Sequence, residues 1–193
     1  MTEFFRVPTD QAPIRDQSRR WADFAEPRPF TAETLYGVEF GKGELANCLL
    51  DTCIRLDWED LQCFEKVDCQ FQRWGVTFSN AIALRPSNPA YPAYSGVMVL
   101  IGAPKSGCME VTFLHPVRFV SGFVTASRRT VLTAFDRNNR AIVQTESSGA
   151  NLANSDSHHS PNVRLSLNMP NIYRLTFNVF DGQLTLDDFC FGF

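Results

Sequence analysis

Histidine is scarce in this chain of 193 residues, which has three, and positive charge is not in excess, with 18 Lys and Arg against 21 Asp and Glu. The net charge of −3 gives no reason for a broad phosphate-backbone surface, so a nucleic-acid partner is not expected. Two of the three histidines are neighbours, His158-His159, beside Asp156 and Ser157. Adjacent side chains on an extended backbone point apart, so they seldom share one metal ion or act as one base. The third, His115, stands before Pro116 and reads as a strand boundary. No G-x-S-x-G elbow, G-x-x-x-x-G-K-[ST] loop or H-E-x-x-H helix occurs, and Gly41-Lys42-Gly43 is too short to cradle phosphates. An enzyme is therefore not the expected reading. No apolar run approaches the ~18–20 residues that span a bilayer, and the longest, near Gly96 to Ile101, fits a strand. The start, Met-Thr-Glu-Phe-Phe-Arg-Val-Pro, lacks the basic and apolar regions of a secretory leader. The cytoplasm is the expected compartment, and the extracellular space if a leader has been trimmed.

Hydrophobic residues make up 44%, charged residues 20% and aromatics 12%, the balance of a soluble folded domain. Residues 1–32 carry scattered prolines, charges of both signs and no sustained period, and read as an arm. Arg15, Arg19 and Arg20 there interleave with Asp10, Asp16, Asp23 and Glu26, so a solvated arm is the reading. Residues 33–193 read as one domain. Short runs rich in β-branched and aromatic residues follow one another: 36–40, 52–58, 74–80, 96–101, 108–114, 117–126, 130–135, 141–146, 163–167, 172–177 and 183–191. Gly, Pro, Asn and Asp clusters separate them, among them Ser87-Asn88-Pro89, His115-Pro116, Asn168-Met169-Pro170 and Asp181-Gly182. Met109, Val111 and Phe113 share one face and Glu110 and Thr112 the other, the alternation of a half-buried strand. Only residues 56–71 offer a competing helical pattern.

Strands this close together leave no room for crossover helices, so the sheets are antiparallel. Two stacked sheets give the 17 Phe residues an interior to fill. The predicted fold is an all-β, antiparallel, jelly-roll-like β-sandwich with an irregular N-terminal arm. Hairpins are predicted at residues 135–140 and at residues 180–183, where Asp-Gly suits a tight turn. The polar stretch 147–162 has a length that is usually functional or mobile. Of the six cysteines, Cys63 with Cys69 or Cys48 with Cys53 could close short loops, and their gaps are too wide for a zinc knuckle. Cys108 and Cys190 read as small buried hydrophobes.

Two constellations stand out. Asp57, Glu59 and Asp60 follow an early strand, Asp187 and Asp188 lie within the last one, and Asn80 is a further oxygen donor. Strand ends offer the mixture of carboxylates and carbonyls that calcium takes, so these six residues are the expected metal set. One of Asp187 and Asp188 is expected to face inward. The competing reading has that carboxylate capping a loop through backbone N–H groups, or pairing with Arg55. Trp74, Tyr91 and Tyr94 are the expected ligand-binding residues, because an aromatic platform beside Asn or Asp grips a pyranose ring. Their alternative role is to close one end of the core. Arg118, Arg128, Arg129, Arg137 and Arg140 could hold an anion, and dispersed as they are read better as surface pairs.

The second half carries Trp74-Gly75-Val76-Thr77-Phe78-Ser79-Asn80, then residues 107–113 leading to Pro116-Val117, then Val131-Leu132-Thr133-Ala134-Phe135-Asp136, and finally residues 184–191 with Asp187-Asp188-Phe189. In that order these segments resemble bacterial jelly-roll modules of the galactose-binding-like and carbohydrate-binding kind, including the sandwich domains of proteins with PEP-CTERM sorting tails. The resemblance spans residues 52–193 and implies a structural calcium near the last strand. The expectation is a non-catalytic binding module, calcium-stabilised, engaging carbohydrate or a protein partner through its loops. The alternatives are a cytoplasmic assembly protein whose arm docks a partner, and, third, a carboxylate-based hydrolase.

Overall fold

A computed structural model describes residues 32–35, 53–102, 107–154 and 159–193. The predicted arm up to residue 31, the run at 36–40, Cys48 and residues 155–158 (with His158) lie outside the described residues, and Ala32, the last residue of that arm, opens a strand. The strands in chain order are β1 (Ala32–Leu35), β2 (Cys53–Leu56), β3 (Lys66–Val67), β4 (Val76–Ser79), β5 (Ala81–Leu84) and β6 (Val99–Gly102). They continue with β7 (Cys108–Ala126), β8 (Thr130–Phe135), β9 (Ala141–Glu146), β10 (Val163–Val179) and β11 (Leu184–Gly192). All pairings are antiparallel. The helical pattern at 56–71 yields no α-helix; a 3₁₀ turn at Gln72–Trp74 is the helical element of this region.

Two strands run through both layers of the sandwich. His115-Pro116 and Met169-Pro170 do not break the chain into separate strands, as the turn signals suggest, but mark corners inside β7 and β10. Proline lacks an N–H and is tolerated where a ladder is interrupted anyway. The β10–β7 register shifts between Asn168 and Ile172, and Asn171 there has φ +67°. A bulge of this kind bends a strand sharply, which lets one strand pass from one sheet to the next.

The first layer therefore reads β9, β8, the C-terminal half of β10, the N-terminal half of β7, and β4. The second reads the N-terminal half of β10, the C-terminal half of β7, and β11, from which β6–β5–β3 and β2–β1 extend. Phenylalanine fills the space between. Phe189 of β11 lies 6.1 Å from Phe78 and 6.3 Å from Phe177, both in the first layer. Phe113 and Phe191 meet at 5.2 Å, and Trp58 closes one end against Phe71 and Phe78 at 5.2 and 5.8 Å.

The hairpin predicted at residues 135–140 forms, with Asn139 at φ +60° and Asp136 Oδ1 accepting the N–H groups of Asn138 and Arg140. The one predicted at 180–183 does not. That turn carries the chain from β10 in the first layer to β11 in the second, and the two strands do not pair. Among the described residues no helix is long and apolar enough to cross a membrane.

Candidate functional site

The outer face of the second layer is roofed by two loops. Residues 85–98, between β5 and β6, lie over β11 and β7. Tyr94 stacks on Phe123 with ring centroids 3.6 Å apart and an interplanar angle of 9°. The backbone beside it is pinned by Asp187, whose Oδ2 accepts the N–H groups of Tyr94 (2.6 Å) and Ser95 (3.0 Å). Its Oδ1 accepts from the Asp188 N–H at 2.6 Å. Burial pushes the Asp187 carboxyl above its ordinary range, and the backbone donors from Ser95, Tyr94 and Asp188 work against that rise.

Asp187 is 2% exposed, yet neither it nor Asp188 points between the sheets. Asp187 shares its face with Phe123, opposite the face of Leu186 and Phe189 that lines the core. The register shift between Asp187 and Cys190 breaks the alternation, and Asp188 takes φ +49° to form an ion pair with Arg55. Burial here comes from a loop laid on the sheet and not from the side chain's direction. Both competing readings of the acidic pair, loop cap and Arg55 partner, are thus realised, one in each residue.

A second carboxylate repeats the device. Glu59 Oε1 accepts the N–H groups of Val97 (2.8 Å) and Met98 (2.9 Å). Asp57 Oδ1 accepts the Glu59 N–H at 2.9 Å. Arg55, Asp57, Glu59, Ser95 and Asp187 line one cleft of about 280 Å³. Asp60 is exposed in the turn after β2, and Asn80, at φ +58°, links β4 to β5. Neither lines that cleft. Among the described residues no three His, Cys, Asp or Glu side chains are grouped to hold a metal ion.

The other roof is formed by residues 147–154 and 159–162. Asn151 is fully buried; its Oδ1 accepts the Ala126 N–H and its Nδ2 donates to Val124 O, both at 2.7 Å. Asn162 and Thr125 exchange bonds at 2.8 and 3.1 Å. The two roofs touch where Ala153 N–H donates to Ala90 O at 3.0 Å.

A separate cleft of about 210 Å³ opens beside β5, β6 and the start of β11. Leu84, Pro86, Tyr91 and Ile101 give it an apolar, half-buried wall, and Asn88 and Gln183 stand exposed at its side. Asn88 shapes the turn that places Tyr91: its Oδ1 accepts the Ala90 N–H and its carbonyl the Tyr91 N–H, each at 3.0 Å. Gly107, at φ +56°, lines the cleft at a point where a Cβ would meet the Val179 carbonyl. Sequence reasoning found Tyr91 but missed Leu84 of β5, Ile101 of β6 and Gln183 just before β11, which meet only in the folded chain. The three aromatic candidates do not form one platform. Tyr91 lines the cleft, Tyr94 covers Phe123, and half-buried Trp74 packs on the core beside β4 with Arg73 5.4 Å over its ring.

The outer face of the first layer carries a cluster that the sequence did not single out. Arg174 lies 3.9 Å over the Phe135 ring, pairs with Glu110 at 2.5 Å and bonds Asn139. Arg128 and Arg129 make surface pairs with Asp181 (3.8 Å) and Glu146 (3.2 Å). Cys63 and Cys69 are exposed thiols and are not joined to each other. Cys108 and Cys190 are half-buried on outward faces, not in the core. Burial, with Cys53 nearby, pushes the Cys190 thiol up to about 12.

Similar solved structures include a family 29 carbohydrate-binding module from Piromyces equi, 8% identical, covering 60% of this chain and 89% of that one with a TM-score of 0.34. The module TmCBM61, in complex with β-1,4-galactotriose, is 14% identical and covers 68% of this chain and 99% of its own, TM-score 0.35. A DUF4465 family protein from Bacteroides caccae is 11% identical over 86% of this chain and 87% of that one, TM-score 0.39. No family model and no curated protein matches the chain.

Proposed function

We propose that the chain is a non-catalytic binding module that takes a single sugar residue of a glycan in the cleft beside Tyr91. The observation that carries this reading is the make-up of that cleft: an apolar wall of Leu84, Pro86, Tyr91 and Ile101 with the amides of Asn88 and Gln183 beside it. A pyranose has an apolar face and a polar rim, and this arrangement answers both. The volume of about 210 Å³ lies below the ~300–1,000 Å³ of sites for drug-sized ligands, which suits one ring and not a buried chain. A glycan-array screen followed by titration calorimetry tests it. Tyr91→Ala and Gln183→Ala should each abolish a hit without moving the melting temperature, whereas Tyr94→Ala, whose ring is spent on Phe123, should keep it. No hit on the array, or a hit indifferent to Tyr91→Ala, removes the reading.

Calcium belongs to the proposal as a stabilising ion at the Asp57–Glu59 turn, where backbone carbonyls would have to complete a set of six to eight oxygens. Chelation should then lower the melting temperature. An unchanged value with and without calcium takes the ion out of the proposal and leaves the sugar cleft standing.

A further inference from the structure

Among the described residues β1 and β2 attach to the sheet through β11 alone. That junction has three rungs: Arg55 opposite Cys190, Ile54 opposite Phe191 and Cys53 opposite Gly192. Ile54 and Phe191 are buried in the core, so by alternation Cys53, Arg55 and Cys190 project from the outer face of the second layer. Cys53 and Cys190 are therefore diagonal neighbours on one face. Directly across from Cys53 stands Gly192, which has no side chain. Directly across from Cys190 stands Arg55, which leans the other way along β11, pairing with Asp188 and donating from Nη2 to Ser95 Oγ at 3.2 Å. Neither residue fills the corner between the two sulfurs.

Both cysteines are half-buried thiols. Diagonal Cα atoms of an antiparallel pair stand about 7–8 Å apart with their Cβ atoms closer, and a disulfide spans about 4.4–6.8 Å between Cα atoms. The difference falls on β2, a four-residue strand held to β11 by those three rungs. The irregularity between Asp187 and Cys190 adds local twist at the same place. Burial first, and then negative charge on Cys53, pushes the Cys190 thiol up, so the two groups are close enough to feel each other. A thiol that ionises reluctantly is a poor leaving group, which makes a disulfide to Cys190 slow to open. We infer that Cys53 and Cys190 form a redox-dependent disulfide that fastens the β1–β2 pair to the last strand. Oxidised glutathione serves as the oxidant. One cysteine thiolate attacks its disulfide and releases one glutathione, and the second cysteine displaces the other from the mixed disulfide. One disulfide is consumed and one is formed, and the two protein thiol protons end on the two reduced glutathiones. This goes beyond the sugar cleft, which other residues line, and neither depends on the other.

Incubation of the full chain in oxidised glutathione, followed by digestion without reductant and mass spectrometry, tests it. Two of the six thiols should be lost, and a peptide joining Cys53 to Cys190 should appear. The melting temperature should rise above that of the reduced chain by on the order of 5–10 °C. Dithiothreitol should reverse both changes. Cys53→Ser and Cys190→Ser should each lose the linked peptide and the oxidant-dependent rise, whereas Cys48→Ser should keep both. A chain that retains all six thiols overturns the inference, as does one that takes glutathione on the exposed Cys63 and Cys69 without the link. A Cys48–Cys53 link in its place overturns it too. The wild-type peptide map decides the matter even where a serine variant fails to fold.

Discussion

Asp187, 2% exposed, holds its place by accepting hydrogen bonds from backbone donors of the loop above it. A buried acceptor removed from two backbone donors leaves each unsatisfied, at a cost of about 1–3 kcal/mol per group. Asp187→Ala strands the Tyr94 and Ser95 N–H groups, so its urea midpoint should fall with the slope unchanged. The same residue gives stability a pH dependence of defined sign. Burial raises its folded pKa above the ordinary 3.8, so the folded chain holds the proton more tightly than the unfolded one. Its contribution is then most favourable below 3.8 and declines as pH rises through the raised folded value, after which it is flat. The stability difference between the wild type and Asp187→Asn, followed by denaturation across that window, should drift against the wild type as pH rises. A difference that is level, or that drifts the other way, contradicts the assignment.

At the scale of elements, the roofs over the second layer are held by side chains acting as strand backbone. The β10–β7 ladder ends at Val163 opposite Val124, and one step further along β7 the Ala126 N–H and C=O would face solvent. Asn151 takes both, the N–H through its side chain and the C=O through its own N–H. Asn151→Ala should therefore cost about 1–3 kcal/mol. It should also accelerate hydrogen exchange across residues 147–154 and at Ala126 while leaving β8–β9 protected. Uniform acceleration over the whole chain would show that the loop is no separate unit. A polar loop of this length reads in sequence as functional or mobile; here one fully buried amide makes it structural, because the loop's composition does not reveal which polar group finds a backbone partner.

For the molecule as a whole, the sandwich stands on rings that bridge the layers. Phe189 touches Phe78 of β4 and Phe177 of β10 across the layers, and Phe191 of its own strand. Phe189→Ala removes those contacts at once and should cost about 3–5 kcal/mol by chemical denaturation. Phe180 is 88% exposed at the turn between layers, and Phe180→Ala should stay within about 0.5 kcal/mol of wild type. Equal losses in the two variants would mean that the core has been drawn in the wrong place.

The sequence by itself determined that this chain is all-β and where most strands run. Those features follow from local alternation and from how much apolar volume must be hidden. The sequence's expectation that one of Asp187 and Asp188 points inward fails, since Asp187 is buried under a loop on the outer face. It could not determine that His115-Pro116 and Met169-Pro170 are corners within long strands, since a proline that breaks a ladder looks the same in sequence as one that ends it. Nor could it separate Tyr91 from Tyr94: both sit among prolines, and only the positions of Phe123 and of the β5–β6–β11 cleft assign one to packing and leave the other open. Tertiary structure decided those points because each depends on a partner far away along the chain, brought near by the folding of two sheets onto each other.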